Sequence, residues 1–146
     1  MKLSELKKQK FWLMKSEPES WSWQDQIARG EKGEPWNGVR NYQASNFMKE
    51  MKIGDKAFFY HSVKEKSIVG IVEVIGTYRP DPTDEKGKFG LVEVKAVIGL
   101  PQPVSLAQIK AMSGVDNFLL VRQSRLSVLP VPDSIRNQIL ELSGIK

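Results

Sequence analysis

The sequence predicts an α+β fold, an antiparallel sheet or small barrel with helices packed around its edge. Three observations carry this. Strand-like runs follow one another between residues 57 and 98 instead of alternating strictly with helices. Within them Val92, Val94, Ala96 and Ile98 alternate with Glu93 and Lys95, the period of a half-buried antiparallel strand. The chain has 146 residues, 40% hydrophobic and 27% charged, which suits one ordinary globular domain.

Residues 1–10 are polar and Lys-rich, with Leu3 and Leu6 as the only interior apolar positions; they are expected to form a flexible basic arm or a short first helix, ahead of a single domain over 11–146. Residues 11–14, Phe-Trp-Leu-Met, read as a buried strand ending before Pro18. Ser22 followed by Asp25 signals a helix start, stopped at Gly30. Residues 30–38 are a Gly- and Pro-containing loop. Tyr42, Phe47, Met48 and Met51 fall at helical spacing, and Gly54-Asp55 makes a turn after them. Strands are expected over 57–61, 67–75 and 89–98, with a loop over 80–88. A helix opened by Ser105, a strand over 126–129 before Pro130, and an amphipathic helix with Ile135, Ile139 and Leu142 complete the chain.

Twenty-two lysines and arginines face 17 acids, a net charge of +5. Four lysines and one acid lie before Phe11, so the arm holds +3 and the rest of the chain +2. A basic balance favours nucleic acid or an anionic surface, but a nearly neutral body points to a pocket more than to a phosphate-coating face; the arm is expected to add a sequence-blind, salt-sensitive grip. Cysteine is absent and His61 is the only histidine, which excludes disulfides, thiolate chemistry and zinc sites built on His and Cys. Neither a leader-like apolar run nor a membrane-length segment is present, so a cytoplasmic, monomeric protein with no membrane partner, metal or cofactor is expected.

Four clusters could carry chemistry. Lys15-Ser16-Glu17 follows the first strand and Tyr60-His61-Ser62 ends another. Ser124-Arg125-Leu126 precedes the last strand. Trp36 sits in a loop, where a large aromatic serves as the platform or wall of a site more readily than as core. Val39-Arg40-Asn41 follows it at a helix start, with two readings: Arg40 and free backbone N–H groups hold an anion, or Asn37 or Asn41 caps the helix and Arg40 pairs with a surface acid. Together the clusters supply donors, acceptors and aromatic faces, the set needed to read an unstacked base. Nucleophile-elbow, phosphate-loop and dinucleotide-binding motifs are all missing. A metal-independent enzyme using His61 as general base beside Glu17 or Lys15, or a small-molecule or protein-interaction module using the same residues, remains the alternative.

The segments over 11–18 (FWLMKSEP), 36–44 (WNGVRNYQA), 58–62 (FFYHS), 70–74 (GIVEV) and 125–128 (RLSV) closely resemble the EVE domain, in the same order. The resemblance implies a PUA-like pseudobarrel, mixed or antiparallel and related to YTH domains. It also implies a non-enzymatic module whose pocket holds a modified base of DNA or RNA. Carried over position by position, that pocket draws on Lys15, Ser16, Glu17, Trp36, Val39, Arg40, Asn41, Tyr60, His61, Ser62, Ser124, Arg125 and Leu126. Two departures stand out: Ser45 replaces the family's common arginine, removing one phosphate contact, and the 81–88 segment is short.

Overall fold

The computed structural model describes residues 1–146. In chain order it contains α1 (Leu3–Leu6), β1 (Phe11–Ser16), α2 (Trp23–Ala28), β2 (Glu34–Pro35), α3 (Tyr42–Glu50), β3 (Lys56–His61), β4 (Ser67–Pro80), β5 (Gly90–Ser105), α4 (Leu106–Lys110), α5 (Leu119–Arg122), β6 (Val128–Pro130) and α6 (Asp133–Leu142). One six-stranded sheet runs in the order β2-β5-β4-β3-β1-β6. All neighbours are antiparallel except β1 and β3, which run parallel with Phe11 opposite Lys56 and Ser16 opposite His61.

That parallel pair shapes everything downstream. Parallel neighbours cannot be joined by a tight hairpin and need a long crossover. Here residues 17–55 make the crossing, and they carry α2, β2, α3 and the loops between them. Register shifts along β4 and β5, at Ile68/Gly70, Ile71/Val72, Val74/Gly76 and Gly76/Arg79, bend the two longest strands. Helix α3 touches β6 at one end of the strand order and β4 and β5 towards the other, closing the sheet into a pseudobarrel.

The core is filled by Phe11, Leu13, Met14, Phe58, Phe59, Ile68 and Ile71, all essentially inaccessible. Trp23 completes it from α2, edge-on to Phe59. A Cβ at Gly70, near the start of β4, would run into the Trp23 indole, so this strand glycine is the seat of that ring. The helix starts follow the sequence signals: Ser22 with Asp25 and Ser105 with Gln108 form reciprocal capping boxes.

Several expectations need correction. Residues 3–6 form the short first helix and not a flexible arm: this helical turn is packed on the body, with Leu6 fully buried, the Leu3 N–H donating to the Lys146 carbonyl and Lys7 paired with Glu141 at 2.8 Å. An apolar residue at each end of that turn buries surface against α6, which outweighs the cost of ordering a short segment. Removing residues 1–10 would therefore strip a core residue as well as charge. The 30–38 loop contains a 3-10 turn (Gly30–Lys32) and β2, whose two residues pair with Glu93 and Val94. Strand β5 runs to Ser105, and the turn Val115–Asn117 with α5 fills a stretch where no element was expected.

Candidate functional site

The crossover opens a cleft of about 500 Å³ on one side of β1. One wall is the end of β1 and the turn after it, residues 15–17 with Ser20 and Trp21; the other is the segment 34–38. The first wall is a closed turn. The Ser16 hydroxyl donates to the Trp21 carbonyl, and the N–H groups of Ser20 and Trp21 both donate to the Glu17 carbonyl at 2.9 Å. The Trp21 indole N–H donates to Gln26 Oε1 at 2.9 Å, and buried Gln26 in turn donates to the Val94 carbonyl at 3.2 Å, so the ring is braced from α2 and β5.

The second wall is pinned by the short β2 pairing and by the Trp36 N–H, which donates to the Val92 carbonyl at 2.8 Å. Trp36 is only 8% exposed and stands perpendicular to Phe59, with ring centroids 5.6 Å apart. Of the two expected forms, platform or wall, it is a wall, and the correction is that its body belongs to the core. Asn37 and Glu17 are exposed and their side chains have no partner within the protein, whereas Glu34 pairs with Arg29 at 3.1 Å. Lys15 reaches across to donate to the Ser124 carbonyl at 2.7 Å, and burial lowers its pKa below the ordinary lysine value. The cleft is therefore lined by two indoles, a free carboxylate, a free amide and one ammonium.

The residues directly after Gly38 do something else. Val39 is buried and Asn41 caps α3 by accepting from the Ala44 N–H at 2.9 Å. The Arg40 guanidinium donates to Asp81 Oδ2 at 3.1 Å and to the Thr83 hydroxyl at 3.0 Å. Asp81 is the hub of this corner. It also accepts from the Gly38 N–H at 2.8 Å and from both the N–H and hydroxyl of Thr83, with no exposed side-chain surface. Burial pushes its pKa up, but the Thr83 hydroxyl, the Gly38 and Thr83 amides and Arg40 outweigh that and hold it at about 2. Of the two readings of this helix start, capping and an acid pair are the ones realised. Ser45 is buried and shares a 2.7 Å hydrogen bond with the Tyr78 hydroxyl, so position 45 faces inward and is not a lost surface contact.

Other candidates separate further. His61 is 8% exposed, its Nε2 accepts the Trp23 N–H at 3.1 Å, its Nδ1 faces Glu65 at 3.4 Å, and its ring packs edge-on to Phe59. Both nitrogens are engaged, and the ring is not offered as a base. Leu126 is core and Arg125 is exposed. Tyr60, Ser62 and Ser124 line a second groove, of about 250 Å³, which shares Lys15 with the cleft. Sequence reasoning missed Ser20, Trp21, Glu34, Pro35, Asn37 and Gly38 as lining residues, although the tryptophan clustering and the turn residues around Trp36 were the available signals. It also missed Asp81, for which Asp-Pro-Thr, a side-chain-stabilised turn pattern, was the only hint.

A family model for the EVE domain matches residues 10–142. The chain belongs to the EVE-domain family. Human thymocyte nuclear protein 1 is 34% identical over 163 residues, covering 90% of this chain and 72% of that protein. A crystal structure of an Agrobacterium tumefaciens protein superposes with a TM-score of 0.89 at 48% identity, covering 93% and 94% of the two chains. Human THYN1, solved in complex with DNA containing 5-methylcytosine, matches with a TM-score of 0.86 at 32% identity, covering 94% of this chain and 99% of that one. A YTH domain from Zygosaccharomyces rouxii shares the fold at TM-score 0.55 and 19% identity over 94% of this EVE domain and 86% of that chain. No helix is long and apolar enough to cross a membrane, and no group of three or more acidic or histidine side chains is placed to hold a metal.

Proposed function

We propose that this EVE domain is a non-enzymatic reader that takes one unstacked, modified base of a nucleic acid strand into the cleft between Glu17 and Trp36. The observation that carries the reading is the cleft itself: two braced indoles flank unpartnered edge-reading groups, Glu17 and Asn37, in a volume within the range of about 300–1,000 Å³ typical of small-ligand sites. The human THYN1 complex with 5-methylcytosine DNA supports it and names the first base to test.

The energetics favour a base that is already free. Stacking on an aromatic wall contributes about 1–3 kcal/mol, while extruding a base from a duplex costs a few kcal/mol. Edge hydrogen bonds have to supply the difference. A carboxylate suits the exocyclic amine of cytosine, and an amide or ammonium suits its carbonyl. The apolar side of Pro35 and Trp36 suits a methyl group, whose burial is worth about 0.8 kcal/mol, roughly a fourfold preference.

The test is a titration of the protein with single-stranded oligonucleotides carrying one 5-methylcytosine or one cytosine at the same position. The methylated strand is expected to bind about fourfold more tightly, and Asn37→Ala to weaken both. Equal affinity for the twins overturns the reading for this modification. The same comparison with other modified bases then ranks the chemistry of the cleft.

A further inference from the structure

We infer that the second groove, whose polar side is formed by Lys15, Tyr60, Ser62, Lys66 and Ser124 and whose remaining lining is apolar, is a phosphodiester site that grips the strand beside the base held in the cleft. The inference rests on the base-reading function proposed above for where the strand lies, but the groove carries its own evidence. Tyr60 is only 3% exposed, yet its hydroxyl makes no hydrogen bond within the protein. Because no fully inaccessible polar side-chain atom is left unpartnered, that oxygen is the part of the side chain that reaches the groove. A hydroxyl on an otherwise buried ring, left without a partner, calls for an acceptor from outside.

The charges around it say which kind. The ammonium of Lys15 lies 5.9 Å from the centre of the Tyr60 ring, held by the Ser124 carbonyl. Neither Lys15 nor Lys66 pairs with an acid; Glu19 is engaged by Lys64 at 2.7 Å, Glu65 is turned towards His61, and the free carboxylate of Glu17 lines the cleft and not this groove. Burial raises the Tyr60 pKa, so the phenol is a donor at neutral pH. A protonated phenol with two lysines at its rim presents donors only at its charged positions, which fits an anionic oxygen and not a base edge that mixes donors with acceptors.

Geometry links the groove to the cleft. Lys15 lines both cavities, so one side chain marks the boundary between them. The backbone of Lys66 is fixed from α4, where the Leu106 N–H donates to its carbonyl at 2.8 Å, despite a left-handed φ of +40°. A strand whose base enters the cleft can thus lay a neighbouring phosphate over Tyr60 without leaving this face of β1 and β3.

Tyr60→Phe and Lys66→Gln test this in the full chain, with the same methylated and unmodified single-stranded oligonucleotides at several salt concentrations. Tyr60→Phe keeps the ring in place and is expected to weaken both strands in parallel by about tenfold, the value of one hydrogen bond to a charged acceptor. Lys66→Gln is expected to lower the slope of log affinity against log salt by about 0.7. The methyl preference stays unchanged in both. Unchanged affinity in both variants overturns the phosphate site, and so does a loss confined to the methylated strand, which would put Tyr60 in the base site. Should the native protein bind the twins equally, the base reading fails while a parallel loss in the variants still upholds the groove. Failure to bind either strand overturns both.

Discussion

Trp36-Asn37-Gly38 and Val39-Arg40-Asn41 are consecutive halves of one motif, yet the first triplet lines the cleft and the second builds its frame. The dividing point is Gly38, in a left-handed conformation at φ +86°, whose N–H turns inward to Asp81. In the second triplet both polar side chains are engaged within the protein, Arg40 by Asp81 and Thr83, Asn41 by the first turn of α3. Before it Asn37 stays free. A motif is thus half ligand surface and half scaffold, and the partner that decides the split lies in another loop.

Variants can break or sharpen this division, and the largest effect falls where the two roles overlap. Trp36→Ala removes a wall that is also core and is expected to cost about 3–5 kcal/mol of stability, measured by urea unfolding, together with the methyl preference. Asp81→Asn comes next. The Asp81 pKa is held well below the ordinary aspartate value, at about 2, so its contribution is complete above about pH 4 and is lost as pH falls towards 2. The variant is expected to lose about 2 kcal/mol at neutral pH, with the gap to the native protein closing in acid. Unfolding curves at pH 7 and pH 3 check both.

Asn41→Ala removes a cap and is expected to cost about 1 kcal/mol without changing the methyl preference. Asn37→Ala is the mirror case: stability within about 0.5 kcal/mol of native, with oligonucleotide affinity reduced. If Asn41→Ala proved the more damaging to binding, the proposed split at Gly38 would be wrong.

Much of this was legible before any coordinates. The strand alternation at Val92 and Val94, the capping signals at Ser22 and Ser105 and the placement of Trp36 as a wall of the cleft all come from local patterns, and local patterns survive folding. What failed depends on distant pairs. Arg40 meets Asp81 across 41 positions, Leu6 finds its place against the last helix, and the two residues of β2 become a strand only because β5 passes beside them. His61 looked like a candidate base because its type and position at a strand end allow that role. Only the fold shows Trp23 already occupying its Nε2.

The four tryptophans provide the most direct test, because only two of them line the cleft. In a proton–nitrogen correlation spectrum, addition of the 5-methylcytosine oligonucleotide is expected to shift the indole N–H signals of Trp21 and Trp36. Those of Trp12, tied to Asp55 on another face, and of Trp23, packed on Gly70, should stay in place. Shifts confined to Trp12 or Trp23, with Trp21 and Trp36 unmoved at saturating ligand, would contradict a base-binding cleft at this position.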